Sequence, residues 1–136
     1  MAGTQVFVWP VRVYYEDTDA GGIVYYANYL KFMERARTEW LRNYGVDLRQ
    51  LAAEERIMFV VRSANLDFLQ PAHLGDALDV SVEVLRRRPA SVTLRQQVTS
   101  SGEVLCTGKI QLACVESLSM RPCPLPPFIP EGESAQ

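Results

Sequence analysis

The 136-residue chain carries a single histidine, His73. Any Ser-His-Asp or Cys-His relay must use it, yet it sits in "QPAHLGD", a turn-rich stretch with no nucleophile motif beside it. It therefore reads as a surface turn residue. Cysteine is also scarce: Cys106, Cys114 and Cys123 are three scattered residues with no close pairing, which indicates neither a disulfide framework nor a zinc cluster. Cys106 and Cys114, eight apart in a strand-like run, share one face and read as small core residues. No stretch holds 18 consecutive apolar residues, and "MAGTQVFVWP" lacks the basic-then-apolar order of a secretory leader. A cytoplasmic protein without a transmembrane segment is the expectation. Nor is there a surplus of one charge. A net charge of −2 and a pI near 5.4 offer no global attraction to nucleic acid, so no nucleic-acid partner is expected and any anionic ligand must be met by a local patch.

What is present is enough for one folded unit. A chain of this length suits one domain spanning residues 1–136, and 48% hydrophobic with 22% charged residues excludes a disordered or coiled-coil chain. "VRVYYED" alternates Val11, Val13 and Tyr15 with Arg12 and Tyr14, the period of a half-buried strand, with Pro10 tolerable near its start or on a sheet edge. From Asn28 to Tyr44, Tyr29, Met33, Ala36, Trp40 and Tyr44 recur at spacings of three and four, with Leu30, Phe32 and Leu41 widening the stripe. Gly45 stands where a C-cap glycine would, which predicts a helix ~25 Å long. "DLRQLAAEER" adds a short helix with Asp47 as N-cap and Gln50 as the partner of a capping box. Thereafter the period is two. "IMFVVRSANLDFL", "LDVSVEVL", "VTLRQQVT" and "EVLCTGKIQLACV" read as an antiparallel meander, with "RRRPAS" and "SSGE" as turns. The tail from about residue 121, "RPCPLPPFIPEGESAQ", holds five prolines and is expected to lie extended on the surface and then fray. The sum is an α+β domain: one long helix on about five antiparallel strands, whose uncovered area and unpaired edges favour self-association.

Chemistry concentrates between the first strand and the long helix, in "EDTDAGGIVYYANYL". Glu16, Asp17 and Asp19 superficially suit calcium, but the twelfth position counted from Asp17 is Asn28 and not a bidentate Glu, so that loop fails its spacing test. The two adjacent glycines also lack the dinucleotide pattern. What remains is a carboxylate, two glycines and a helix start. Orphan amides at a helix start carry partial positive charge and can stabilise a carbonyl oxygen that gains negative charge during attack. Glycine at 21 and 22 leaves room for a substrate and lets the backbone aim those amides. On composition alone the same residues read first as an ordinary turn, Asp and Gly being the usual turn residues.

The run "YYEDTDAGGIVYYANYLKFMERARTEW" resembles the thioesterases of the hotdog fold, in particular the 4-hydroxybenzoyl-CoA thioesterase-like group and its Tol-Pal-associated, YbgC-type branch. The similarity extends from about Trp9 through "RPCPLP". The resemblance implies a long central helix wrapped by a curled antiparallel sheet, with Asp19 as the catalytic carboxylate and the backbone N–H of Tyr26 as the oxyanion donor. It further implies an acyl-CoA substrate, no cofactor or metal beyond the coenzyme A that enters with the substrate, and a homodimer or homotetramer. Acyl carrier protein and phospholipid-synthesis enzymes are the further partners it suggests, with a peripheral association to the inner membrane through them. Tyr26 departs from the histidine many members of the YbgC-type branch carry there; the benzoyl-CoA type has tyrosine.

On the same resemblance Arg86, Arg87, Arg88 and, more weakly, Ser91 are candidates for the phosphates of coenzyme A, Arg being suited to bidentate phosphate contact. Three arginines at a hairpin are otherwise an ordinary solvated turn. Gly22, Glu34 and Phe59, with Met58, are candidates for lining the acyl site; an exposed helical Glu and plain core residues are their ordinary readings. In the implied reaction a water molecule, or Asp19 itself, attacks the thioester carbonyl and a thiolate leaves. As a base, Asp19 would gain from burial beside its acidic neighbours. The alternatives are a non-hydrolytic scaffold that binds acyl-CoA or acyl carrier protein near envelope lipid metabolism, and a dehydratase of the same fold, which would need a histidine that only His73 could supply.

Overall fold

A computed structural model of the chain describes residues 6–132; the readings of the first five residues and of the fraying end fall outside them. The secondary structure runs β1 (Phe7–Arg12), a single 3-10 turn (Tyr15–Asp17), α1 (Asn28–Arg42), a short α2 (Leu48–Gln50) continued by a wide turn over Leu51–Glu55, then β2 (Ile57–Phe68), β3 (Ala77–Arg87), β4 (Ser91–Ser100) and β5 (Glu103–Glu116). All five strands form one antiparallel sheet in the order β1-β3-β4-β5-β2. The α+β architecture expected from the sequence, one long helix against a curled sheet, is what the chain adopts.

The period-two strands bury one face. Leu78, Val80, Val82 and Val84 of β3, Val92, Leu94 and Val98 of β4, and Cys106, Ile110, Leu112 and Cys114 of β5 all face inward. Against them α1 lays Tyr29, Phe32, Met33, Ala36, Trp40 and Leu41, residues spaced by three and four as a helix face requires. Full burial of one such side chain as large as Phe32 contributes about 2–3 kcal/mol. Leu30 and Tyr44, counted within the stripe from spacing, are instead exposed. One polar residue interrupts the inward face. Gln96 is fully buried, and its amide nitrogen donates to the carbonyls of Met33 at 3.0 Å and Ser81 at 3.2 Å. Its amide oxygen accepts from Arg37 Nη1 at 3.0 Å, so each buried polar atom is paired, and helix is tied to sheet. Burial depresses the Arg37 pKa below its ordinary value.

Several boundaries differ from the sequence expectation, each for a local reason. The first strand lies earlier, over Phe7–Arg12 with Pro10 inside it; as an edge strand it has no partner on one side, so a missing N–H is tolerated. Helix α1 ends at Arg42, where Gly45 N–H bonds Arg42 O at 2.8 Å and Val46 N–H bonds Leu41 O at 3.3 Å. That pair is a Schellman cap with Gly45 at φ +80°. Asp47 does cap α2, its Oδ1 accepting from Arg49 N–H and Gln50 N–H, bonds that hold its carboxyl below the usual carboxylate range. Gln50 bonds Glu54 rather than completing a capping box. β2 pairs with β5 at the far edge and not with β3, so residues 69–76 cross the mouth of the sheet instead of forming a hairpin.

The tail is not merely extended on the surface. Leu125 and Ile129 are buried in the core, and the tail is pinned by Arg87. That guanidinium donates to Pro126 O at 3.2 Å, to Ile129 O and to Leu125 O at 3.4 Å. Arg87→Ala is expected to destabilise the fold by about 2 kcal/mol through loss of charge-assisted bonds to three carbonyls. Limited proteolysis should then cut after residue 121 faster, and thermal denaturation should report the lower Tm.

Candidate active site

The segment between β1 and α1 is a small hairpin stitched to the helix entrance. Asp19 N–H bonds Ile23 O at 2.9 Å, Gly22 N–H bonds Asp19 O at 3.0 Å, and Thr18 pairs with Val24. Gly22 takes φ +80°, the left-handed residue that ends a three-residue hairpin connection. Within the turn Asp19 Oδ1 accepts from Gly21 N–H at 2.9 Å. Among the described residues the other carboxylate oxygen has no protein donor, so one oxygen is tethered and one is open.

Two further layers hold this hairpin. Outward, Ile23 pairs with His73, flanked by Val24 N–H to Ala72 O at 2.8 Å and Leu74 N–H to Gly22 O at 3.1 Å. The Ala72 N–H in turn donates to the buried Tyr29 hydroxyl at 3.1 Å, so the first turn of α1 sets the position of the strip that carries the hairpin. Inward, Asp17 is buried and accepts Tyr14 N–H at 2.8 Å, while its carbonyl receives Tyr25 N–H at 3.0 Å and Asn28 Nδ2 at 2.8 Å. The acidic cluster thus divides by role: Asp17 is spent on the scaffold and Asp19 is presented to solvent.

At the helix entrance Asn28, Tyr29 and Leu30 donate their N–H groups three residues back, to Tyr25, Tyr26 and Ala27. The N–H groups of Tyr26 and Ala27 have no protein acceptor among the described residues, and the first turn of α1 holds no acid to neutralise its positive end. Beside them lies a cleft of about 210 Å³, walled by Ile23, Val24, Tyr26, Tyr29, Phe68 and Pro71 among others. The rings of Tyr26 and Phe68 meet edge to face at 5.8 Å, and Tyr29 lies 5.7 Å from Phe68.

Asp19 is exposed and does not line this cleft, so the burial that would help a base is not supplied by one chain. Glu34 is exposed on α1, away from the cleft wall. Phe59 packs against the core from β2, opposite Cys114, and Met58 is half-buried. The arginine triplet is split. β3 runs through Arg87, so Arg86, opposite Thr93, and Arg87, opposite Val92, face opposite sides. Arg86 and Arg88 join Arg95 and Lys109 around a groove of about 600 Å³ on the sheet's outer face; Arg87 faces inward to the tail. Ser91 opens β4 and accepts Arg88 N–H through its carbonyl at 2.8 Å. Spacing put Tyr29 in the helical stripe and Asn28 at the helix start but missed the bonds of the Tyr29 hydroxyl and the Asn28 amide, and it missed Gln96. For Gln96 a signal existed, a polar residue in register with Val92, Leu94 and Val98.

A long helix seated against a curled five-stranded antiparallel sheet, with a carboxylate hairpin at the helix entrance, defines a hotdog-fold protein of the thioesterase kind. Residues 13–132 match the thioesterase-like superfamily, and the chain belongs to that family as a thioester hydrolase. It is 43% identical over 127 residues, 93% of this chain and 94% of the relative, to the acyl-CoA thioester hydrolase YbgC of Escherichia coli O6:H1. It is 42% identical over 88% of both chains to the acyl-CoA thioesterase YbgC of Haemophilus influenzae. Among solved structures it resembles a gentisyl-coenzyme A thioesterase, BH1999, with TM-score 0.81 and 28% identity over 88% of this chain and 96% of that one. Among the described residues no cluster of three metal-ligating side chains occurs, and no helix is long and apolar enough to cross a membrane.

Proposed function

We propose that the chain hydrolyses acyl-CoA thioesters to a carboxylic acid and free coenzyme A, with Asp19 as general base or nucleophile and the Tyr26 N–H as oxyanion donor. The observation that carries this is that one short segment, residues 19–26, holds both a carboxylate oxygen and a main-chain N–H that, among the described residues, have no protein partner. The N–H stabilises charge that exists only after attack on the carbonyl, and so favours the transition state over the bound ester. Coenzyme A leaves as a thiolate, which removes the need for a strong general acid, and no cofactor is required. Single-turnover hydrolysis in oxygen-18 water separates the two roles. Label found in Asp19 marks an anhydride opened at the aspartyl carbon; label in the product acid alone, with no acyl-enzyme trapped on acid quench, marks an activated water. The scaffold alternative fails if thiol is released at all.

The working unit we propose is a homodimer or a pair of such dimers. β2 is a twelve-residue edge with no partner on its outer side among the described residues. Val61, Phe68 and Leu69 on and just beyond it are about half exposed, and an edge of that kind invites pairing. The cleft of about 210 Å³ is also smaller than the ~300–1,000 Å³ of typical ligand sites. A second copy along this edge supplies the missing wall and the burial that Asp19 lacks.

For the nucleotide end of coenzyme A the groove bearing Arg86 and Arg88 is the proposed seat, with Arg87 left out because its donors are engaged by the tail. The double variant Arg86→Ala/Arg88→Ala is expected to raise KM for acyl-CoA by roughly 10–100-fold, the value of one or two charge-assisted phosphate contacts. Acyl-pantetheine, which lacks the phosphates, should be hydrolysed unchanged; equal losses on both substrates would remove the assignment.

A further inference from the structure

Sequence spacing offered no cysteine pair, but the folded tail creates one. After β5 the chain turns over Glu116–Arg121, with Met120 N–H on Glu116 O at 2.8 Å and Glu116 N–H on Arg121 O at 2.8 Å, and returns antiparallel along β5. Val115 pairs with Pro122 and Cys123 N–H bonds Cys114 O at 3.0 Å. That register sets Cys114 and Cys123 directly opposite each other. The Cys114 N–H itself goes to Ala90 O at 2.8 Å, so one of the two bonds of such an opposed pair is made; opposed residues in an antiparallel ladder lie ~4.5–5.5 Å apart between Cα atoms, within the separation disulfides take. The sulfurs themselves are 3.5 Å apart.

The two thiols are unequal in access. Cys114 is fully buried, its Sγ also 3.5 Å from Pro124 O, and burial pushes that thiol up to about 12. Cys123 is partly exposed and lines an opening of about 400 Å³ beside Arg56, Ile57 and Pro124. A small reagent meets Cys123 first, and the product of that encounter has a second sulfur in contact with it. Cys106, the third thiol, is buried elsewhere in β5, without a sulfur neighbour among the described residues.

We propose that Cys114 and Cys123 form a peroxide-responsive dithiol whose oxidation staples the tail to β5. The Cys123 thiolate attacks hydrogen peroxide, the O–O bond breaks, and a sulfenic acid and one water form. The Cys114 sulfur then attacks the Cys123 sulfur; the S–O bond breaks, and the departing hydroxyl leaves with the Cys114 proton as a second water. Two thiols are oxidised, one peroxide is reduced, and two electrons move. The bond closes the short loop from 114 to 123, and it fixes the segment that delivers Leu125 and Ile129 to the core.

The test uses the full chain, reduced and then titrated with hydrogen peroxide, quenched by alkylation and read by intact mass, peptide mapping and thermal denaturation. Expected after alkylation of the denatured chain are one alkyl group rather than three with two hydrogens lost, a mapped 114–123 link reversed by dithiothreitol, the alkyl group on Cys106, and a rise in Tm of roughly 5–10 °C. In Cys123→Ser both remaining thiols should be alkylated, with no hydrogens lost, and the Tm rise should vanish. A Cys123 sulfinic or sulfonic acid with Cys114 still free, a link through Cys106 or between chains, or a mapped link without any Tm change would each overturn the proposal. Mapping of the unsubstituted chain decides the matter even where the variant folds poorly.

Discussion

Asp19→Asn is expected to reduce thioester turnover by about three orders of magnitude or more, the range lost with a general base or a nucleophile, without changing the fold. The substitution is chosen for what it preserves. Asp19 Oδ1 accepts from Gly21 N–H, and the asparagine amide oxygen can accept the same bond, so the hairpin keeps its shape. What is lost is the charge and basicity of the oxygen that faces solvent. Because the side chain lies outside the core of the chain and asparagine has the same shape, the Tm and the oligomeric state should match those of the unsubstituted protein. Release of coenzyme A thiol, followed colorimetrically, is the measurement. Turnover at the original rate would detach Asp19 from the chemistry and leave it as a turn residue.

How far the sequence spoke depended on whether a feature was periodic or three-dimensional. The inward stripe of α1 and the alternation of β3, β4 and β5 repeat along the chain, so fold class and core faces were legible from spacing alone. Strand order was not, because nothing local tells β2 to cross over and pair with β5 rather than with β3. The arginine triplet shows the same limit. Consecutive residues looked like one turn, but β3 continues through Arg87, and alternation sends one arginine to the tail and its neighbours to the outer groove. At the site, the helix start and the glycines marked the place. The distinct duties of Asp17 and Asp19, two residues apart, became visible only when burial separated them. The Tyr29 hydroxyl was silent too, since its partner is the backbone of Ala72, forty-three residues away.

The hairpin's dependence on one backbone conformation gives the second large effect. A Cβ at Gly22 would meet nothing within 4 Å, so a side chain there is not excluded by contact; the obstacle is φ +80° alone. Holding an L-residue in that region costs roughly 1–2 kcal/mol, and a β-branched side chain fits it worst. Gly22→Val therefore faces two outcomes, to keep the turn under strain or to relax it. Relaxation breaks the Leu74 N–H to Gly22 O and Asp19 N–H to Ile23 O bonds, each with an exposed residue at one end, Leu74 or Asp19, so it is the outcome expected. Asp19 then moves relative to the Tyr26 amide, and a misplacement near 1 Å is worth about 100-fold in kcat, with KM little changed and the α1–sheet core intact. Asparagine tolerates left-handed angles, so Gly22→Asn should recover most of the activity. Steady-state kcat and KM for both variants, beside their melting curves, check this; full activity in the valine variant with only a lower Tm would show that the turn does not position the carboxylate.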